Sequence, residues 1–132
     1  MRRQSRELSL QILFQTEFAP QMNLKDLSTV FEKTFDSSVM DYTMTVVQGV
    51  KANIEQIDSK ISMASAHWKI ERMASVDRNI LRIAVYEMII ATETLEPKIV
   101  INEAIEIAKI FGTQESSAFV NGLLDQILRN EK

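Results

Sequence analysis

The sequence contains no cysteine and only one histidine, His67. Disulfides, thiolate zinc sites and cysteine nucleophiles are therefore excluded, and a single imidazole provides neither a metal-binding pair nor a proton relay. Glycine is also scarce, because Gly49, Gly112 and Gly122 are too widely spaced for a P-loop or a GxGxxG turn. No GxSxG motif frames a serine nucleophile. These absences predict a protein that is not an enzyme, with no catalytic residue, no metal site and no cofactor.

Long apolar runs are missing as well. No stretch of about 18 apolar residues is available to span a bilayer, and the first ten residues lack the apolar segment of a secretory signal. The chain has 132 residues, of which 25% are charged, and it contains no tract rich in Gly, Ser or Pro. We therefore expect one ordered domain in the cytoplasm, with no membrane partner.

Apolar residues recur at helical spacing almost everywhere, so the predicted fold class is all-α. The pairs are Leu8 with Ile12, Leu27 with Phe31, Val46 with Val50, Ile80 with Ala84, Ala104 with Ala108, and Leu124 with Leu128. We expect about seven helices in two packed helical bundles that share one core. The N-terminal helical subdomain would cover about residues 1–66 and the C-terminal one about residues 67–132.

Breaker and capping residues give the predicted helix limits. The predicted helices are Ser5–Phe18, Leu24–Phe35, Val39–Asn53, Ile54–Ala66, Ser75–Thr92, Pro97–Phe111, and a last one for which Ser116 or Ser117 is the predicted cap. Ser75 is the predicted N-cap of its helix, and Gly112 is predicted to stop the sixth helix in the αL conformation. A glycine inside a helix costs about 1 kcal/mol relative to alanine, so a close backbone contact is expected at Gly122.

Charge is distributed unevenly along the chain. The net charge of −3 argues against a protein that coats nucleic acid by general electrostatics. Arg2, Arg3 and Arg6 nevertheless crowd the first helix, whereas the stretch 83–128 is acidic. Its charged residues are Lys98 and Lys109 against Glu87, Glu93, Glu96, Glu103, Glu106, Glu115 and Asp125. A basic end therefore accompanies an acidic body.

Several of these residues allow two interpretations. Cations in the first turn oppose the helix dipole, so Arg2, Arg3 and Arg6 are either a solvated terminus or a phosphate site. Phe119 is either part of the core stripe or a base-stacking platform, with Ser116 and Ser117 near it to bind phosphate. Glu103 and Glu106 are predicted to lie on a solvated helix face, where Lys109 pairs with Glu106. No role is assigned to His67 or to its neighbour Trp68.

Three blocks of sequence carry specific motifs. The opening RRQSRELSLQILFQTE combines an arginine cluster, an RE pair and a first apolar helix, an order that resembles the start of the NusB family. The stretch WKIERMASVDRNILRIAVYEM resembles its central signature, with the DR-x-ILR-x-A-x-YE core between Asp77 and Glu87. The C-terminal block has INEA from Ile101, AK-x-FG from Ala108 and FVNG from Phe119. The blocks cover both ends and the middle of the chain in register.

The resemblance implies a helical transcription antitermination factor that binds boxA-type single-stranded RNA together with NusE, a small-subunit ribosomal protein. That pair would join other Nus factors on RNA polymerase and support ribosomal RNA transcription. By matching positions, the implied RNA-binding residues are Arg2, Arg3, Arg6, Glu115, Ser116 and Phe119. The implied partner-binding residues are Asp77, Arg78, Tyr86 and Glu87. An acidic body suits a basic ribosomal protein, which would also supply charge for RNA binding.

Two departures and two alternatives accompany this interpretation. Phe14 stands where the family often has tyrosine, and Ala118 replaces a frequent basic residue, so the arginine end would carry more of the RNA contact. NusB-like domains also precede RNA cytosine methyltransferases, but the chain lacks the further α/β domain with a Gly-rich cofactor loop. A purely structural helical homodimer is the other alternative.

Overall fold

The computed structural model describes residues 2–21, 26 and 35–132. The helices in these ranges are α1 (Arg2–Phe18), α2 (Ser37–Ala52), α3 (Ile54–Ala64), a 3-10 turn (Ile70–Arg72), α4 (Ser75–Val85), a π-helical turn (Tyr86–Ile90), α5 (Pro97–Phe111) and α6 (Ser116–Asn130). The ranges contain no strand, and the all-α prediction is confirmed. Six α-helices are described where about seven were predicted. The predicted helix Leu24–Phe35 lies, apart from Asp26 and Phe35, outside the described residues.

The predicted helical stripes form the core. One residue pair from each of α1, α2, α4 and α5 is buried in a single apolar cluster, as predicted from the spacing: Leu8 with Ile12, Val46 with Val50, Ile80 with Ala84, and Ala104 with Ala108. Helix α1 packs on α2 and α4, and α5 packs on α6. Burying a large aliphatic side chain contributes about 1.5–3 kcal/mol, so this cluster dominates the stability of the fold. The division into subdomains 1–66 and 67–132 stays a prediction.

Helices α1 and α4 run antiparallel, and an ion pair joins them at each end. Arg6 near the start of α1 binds Glu87, the second residue after the C-terminal end of α4. Glu17 at the end of α1 binds Arg78 in the first turns of α4. Arg6 and Glu17 are eleven residues apart, which corresponds to about 16 Å along an α-helix. The two ends of α1 therefore belong to different parts of the surface.

A π-helical turn interrupts the helix predicted over Ser75–Thr92. Helix α4 ends at Val85, and the backbone N–H of Ala91 donates to the carbonyl of Tyr86 at 2.9 Å, five residues earlier. Such turns place one residue more per turn than an α-helix and recur at functional sites. Here Glu87 lies in the turn with 2% of its surface exposed. The predicted single helix was wrong at its C-terminal end, because hydrophobic spacing does not distinguish an α-helix from a π-turn.

Two predicted helix caps were also wrong. Ala74 is the N-cap of α4, and the hydroxyl of Ser75, the first helical residue, donates to Glu17 on another helix. Helix α6 begins at Ser116, and its N-cap is Glu115 rather than Ser116 or Ser117. Ser116 Oγ is buried and accepts the backbone N–H of Thr113 at 2.9 Å, so it ties the preceding loop to the helix.

The glycine predictions were overturned by the local geometry. Gly112 has φ −97° and ψ −167°, an extended conformation rather than αL. Gly122 has nothing within 4 Å of an added Cβ, so no close contact explains it. Close contacts occur instead at Gly49, where a Cβ would lie 2.2 Å from Cε1 of Tyr86, and at Gly112, where it would lie 2.4 Å from Oγ of Ser116. The ring of Tyr86 therefore packs directly on the backbone of α2.

Candidate functional site

The N-terminal end of α1 carries the three arginines that were predicted to bind RNA. Cζ of Arg2 lies 4.3 Å from the ring centroid of Tyr42, a cation–π contact. Arg3 binds Glu103 with two parallel hydrogen bonds, from Nε at 2.9 Å and from Nη2 at 2.6 Å. Both arginines remain accessible at the surface. This end of α1 can therefore present two guanidinium groups to an anion.

Arg6 has different surroundings from its two neighbours. It is 5% exposed, its Nε donates to both oxygens of Glu87 at 2.8 and 3.1 Å, and its Nη1 donates to Glu103 at 3.2 Å. The hydroxyl of Tyr42 also donates to Glu87. Burial and the Glu87 carboxylate raise the pKa of Tyr42 well above its usual range, so the hydroxyl remains a donor. Arg6 thus holds α1 to the π-turn and to α5 and is not a free surface cation.

The arginine cluster, which we define as Arg2, Arg3, Arg6, Glu87 and Glu103, is nearly balanced in charge. Three guanidinium groups and two carboxylates leave a net charge of +1. Hydrogen bonding from Arg3 lowers the pKa of Glu103 below its usual range, so this carboxyl is ionised at neutral pH. Glu103 was predicted to lie on a solvated face, and that prediction was wrong. The prediction for its neighbour was right, since Lys109 pairs with Glu106 at 3.0 Å.

Phe119 lies near the N-terminal end of α4, away from the arginines at the start of α1. It is half-buried, packs on the core and lines two surface cavities. One cavity, of about 210 Å³, lies between Phe119, Trp68, Arg72, Asp77 and Glu115, with Met73 and Ala74 as its remaining walls. Trp68 is 60% exposed, so two aromatic faces flank this cavity. Aromatic faces stack on nucleobases of any sequence.

The predicted RNA residues therefore form two groups rather than one. Arg2 and Arg3 lie beside Tyr42 and Glu103 at the start of α1. Phe119 shares a cavity with Asp77, whose neighbour Arg78 binds Glu17 at the opposite end of α1. Glu115 is exposed and accepts the hydroxyl of Thr113 at 3.2 Å. The first group offers positive charge and the second offers aromatic surface. A single RNA strand would have to extend along α1 to contact both groups.

The predicted partner residues are divided in a similar way. Arg78 is occupied by Glu17 and by the carbonyls of Ile70 and Met73, and Glu87 is buried. Tyr86 is half-buried against Gly49. Asp77 lines the Phe119 cavity, and its Oδ1 is buried without a hydrogen-bond partner among the described residues.

Sequence reasoning missed the residues that anchor both ends of α1. These are Tyr42 and Glu103 at one end, and Glu17, Asp58 and Arg82 at the other, where Arg82 binds both carboxylates at 2.8 and 2.9 Å. Burial alone would raise the pKa of Glu17, but hydrogen bonds from Arg78 and Ser75 with the charges of Arg78 and Arg82 lower it to about 2. No local signal identifies these pairs, because their members are separated by 24 to 100 residues.

The helix order and the charged contacts at the two ends of α1 define the class of protein. It is a small all-α protein with cations at one end of its long first helix and cavities lined by aromatic residues at the other end. Among the residues that the structure describes, no helix is long and apolar enough to cross a membrane.

Comparison with known proteins agrees with the sequence resemblance. The profile of the NusB family matches residues 3–129. The transcription antitermination protein NusB of Bdellovibrio bacteriovorus is 60% identical over 126 residues, covering 96% of this chain and 93% of the relative. The solved structure of T. maritima NusB has a TM-score of 0.88 and 37% identity, covering 98% of this chain and 91% of that one. The chain belongs to the NusB family.

A second solved structure contains antitermination factors NusB and NusE in complex with dsRNA. It matches with a TM-score of 0.85 and 26% identity, and the match covers 98% of this chain and 96% of that chain.

Proposed function

We propose that this protein is a cytoplasmic transcription antitermination factor that binds boxA-type single-stranded RNA together with NusE and acts without catalysis. Through that pair it would join RNA polymerase and the other Nus factors and support ribosomal RNA transcription. The observation that carries the proposal is the likeness, over nearly the whole chain, to a NusB that is seen in complex with NusE and dsRNA. The accessible Arg2 and Arg3 and the aromatic cavity at Phe119 are the chemistry that supports it.

The residues of the proposed RNA surface have different roles. Arg2 and Arg3 contact phosphate, and Phe119 with Trp68 stacks on bases. Arg6 is a positioning residue, since it is buried between Glu87 and Glu103. Glu115 and Ser116 lie at the start of α6. The carboxylate of Glu115 makes this part of the RNA surface more negative, and the hydroxyl of Ser116 binds the backbone of the preceding loop at Thr113.

The proposed NusE surface contains the predicted partner residues of α4 and the π-helical turn. Asp77 and Tyr86 reach the surface in part and are the proposed contacts, while Arg78 and Glu87 support them from within. A basic partner would bring the cations that a protein of net charge −3 lacks, and it would thereby strengthen RNA binding.

The test is fluorescence anisotropy of a labelled boxA-like RNA and a scrambled RNA, at one stated salt concentration, with and without NusE. Wild type is compared with Arg2→Ala/Arg3→Ala and with Arg129→Ala/Lys132→Ala, which removes the same charge from exposed positions at the C-terminal end. We expect preference for the boxA-like RNA, tightening by NusE, and loss only in the first variant. Equal loss in both variants would reduce the site to net charge. A stable dimer in sedimentation that persists with RNA and NusE would favour the homodimer alternative.

A further inference from the structure

The Arg3–Glu103 pair occupies the guanidinium group that the proposed function assigns to RNA. Arg3 donates from Nε and Nη2 to the two oxygens of Glu103, which is the same two-pronged geometry by which arginine binds phosphate. A phosphate bound side-on needs the same Nε–H and Nη2–H groups, whereas the opposite edge of the guanidinium, with Nη1, is not used by Glu103. Glu103 and an RNA phosphate therefore cannot bind Arg3 in this way at the same time.

The pair is accessible enough to open. The side chains of Arg3 and Glu103 are 42% and 21% exposed, against 6% and 2% for Arg6 and Glu87. Exposed ion pairs contribute little to stability, whereas breaking a buried pair leaves an uncompensated charge. The Arg3–Glu103 pair is part-buried and is therefore easier to open than the buried Arg6–Glu87 pair. An open groove of about 540 Å³ runs beside Arg3, with Ile99 and Leu95 in its wall, and gives a phosphate access to the guanidinium.

Glu103 retains a partner if Arg3 leaves it. Nη1 of Arg6 already donates to Oε1 of Glu103 at 3.2 Å, and Arg6 itself is fixed by Glu87. The carboxylate can therefore stay charged and paired while Arg3 turns outward. This second contact makes an exchange possible, because it removes the cost of stranding a carboxylate in a half-buried position.

We propose that Glu103 is an internal competitor for RNA phosphate: it holds Arg3 in the free protein and releases it to the RNA backbone, while Arg6 keeps Glu103 in place. The proposal rests on the RNA-binding function above. Its consequence is that the arginine cluster attracts RNA weakly by charge alone. Firm binding then requires additional contacts, such as base stacking or a bound partner, to offset the lost pair.

Glu103→Gln tests the competition directly. The amide keeps the shape but loses the charge, so RNA should displace it more easily. We expect the variant to bind a fluorescein-labelled 12-nucleotide single-stranded RNA about two- to five-fold more tightly than wild type, the range that an exposed ion pair accounts for.

Glu106→Gln is the matched control. It removes the same charge from the same helix, but Glu106 is hydrogen-bonded to Lys109 rather than to Arg3. Arg3→Gln is added to the wild-type and Glu103→Gln backgrounds to complete a double-mutant cycle. If the competition is real, Arg3→Gln abolishes the gain from Glu103→Gln, and Glu106→Gln gives a clearly smaller gain.

Three results would overturn the proposal. Equal gains from Glu103→Gln and Glu106→Gln would mean a general charge effect. Weaker or unchanged binding by a Glu103→Gln protein with a wild-type melting curve would mean that Glu103 orients Arg3 for RNA. A gain that survives Arg3→Gln would place the effect elsewhere. If wild type binds no RNA with or without NusE, the proposed function itself fails, a result distinct from these three.

A measurement on the unmodified protein covers the case in which Glu103→Gln does not fold. The Nε–H signal of Arg3 in a nitrogen-15 spectrum reports its acceptor. We expect this signal to shift on addition of the RNA while the signal of Arg6 stays near its free position. An Arg3 signal that does not move at saturating RNA contradicts the exchange.

Discussion

Two helical glycines illustrate how much a residue's effect depends on its surroundings. Gly49 in α2 faces the ring of Tyr86, and Gly122 in α6 faces open space. Both lie inside helices, where alanine is intrinsically favoured by about 1 kcal/mol. The same substitution should therefore have opposite effects at the two positions.

We expect Gly49→Ala to destabilise the protein by about 1–3 kcal/mol, because the added methyl would overlap the Tyr86 ring and force packed groups apart. Gly122→Ala should stabilise by up to about 1 kcal/mol. Urea unfolding followed by circular dichroism measures both. If both variants are stabilised, the Tyr86 ring yields without cost and the packing argument is wrong.

Arg6 provides the second prediction at this scale. Arg6→Ala leaves Glu87 charged and buried, with Tyr42 as its one remaining side-chain partner among the described residues, and loss of one member of a buried pair costs about 3–5 kcal/mol. Arg129→Ala is the control, since Arg129 forms an exposed pair with Asp125 and should change stability by less than about 1 kcal/mol. Comparable losses in the two variants would show that burial does not decide the effect.

At the scale of elements, Glu17 joins three helices. It closes α1, binds Ser75 and Arg78 of α4, and shares Arg82 with Asp58 of α3. The 3-10 turn is tied into the same group, because Arg78 also donates to the carbonyls of Ile70 and Met73. One carboxylate therefore sets the relative positions of α1, α3 and α4 at the end of the molecule near Phe119.

This network predicts a defined acid sensitivity. The pKa of Glu17 is about 2 in the folded protein against an ordinary 4.5. A folded pKa below the unfolded one stabilises the protein above pH 4.5, and the contribution disappears as pH falls toward 2. The stability difference between wild type and Glu17→Gln should therefore be largest near neutral pH and shrink between about pH 4.5 and 2.

Urea unfolding over this pH range measures the difference, with Glu93→Gln at an exposed loop position as control. A difference that stays constant down to pH 2 would mean that the Glu17 charge contributes nothing to the fold.

At the scale of the whole molecule, charge limits what the protein does alone. The net charge is −3, and of the three predicted arginines only Arg2 and Arg3 are accessible. The second group of the proposed RNA surface adds Arg72, which is opposed by Asp77 and Glu115 in the same cavity. Few phosphates can therefore be neutralised without a partner.

We accordingly expect a shallow salt dependence. Two or three phosphate contacts on a single strand give a slope of log affinity against log salt of about −1.4 to −2. Addition of a basic protein partner should make the slope steeper as well as tighten binding. Anisotropy titrations at several salt concentrations measure both, and a slope beyond about −4 for the protein alone would contradict the proposed small footprint.

The sequence by itself determined the class of fold and the helical cores. Apolar residues at helical spacing need no partner to be recognised, since the period follows from backbone geometry alone. Pro97 at the first position of α5 and the break at Asp36 likewise act locally. The family resemblance also rests on local motifs, and the comparisons confirmed it.

Only the tertiary structure decided which charges are free. Arg2, Arg3 and Arg6 are near neighbours in the sequence, yet one is stacked on Tyr42, one is paired at the surface and one is buried. Their partners come from helices 40 to 100 residues away. The π-turn that brings Glu87 to Arg6 leaves no mark in the hydrophobic period. Burial and charge pairing are properties of the packed chain, so a local pattern predicts where cations are but not which of them a ligand can reach.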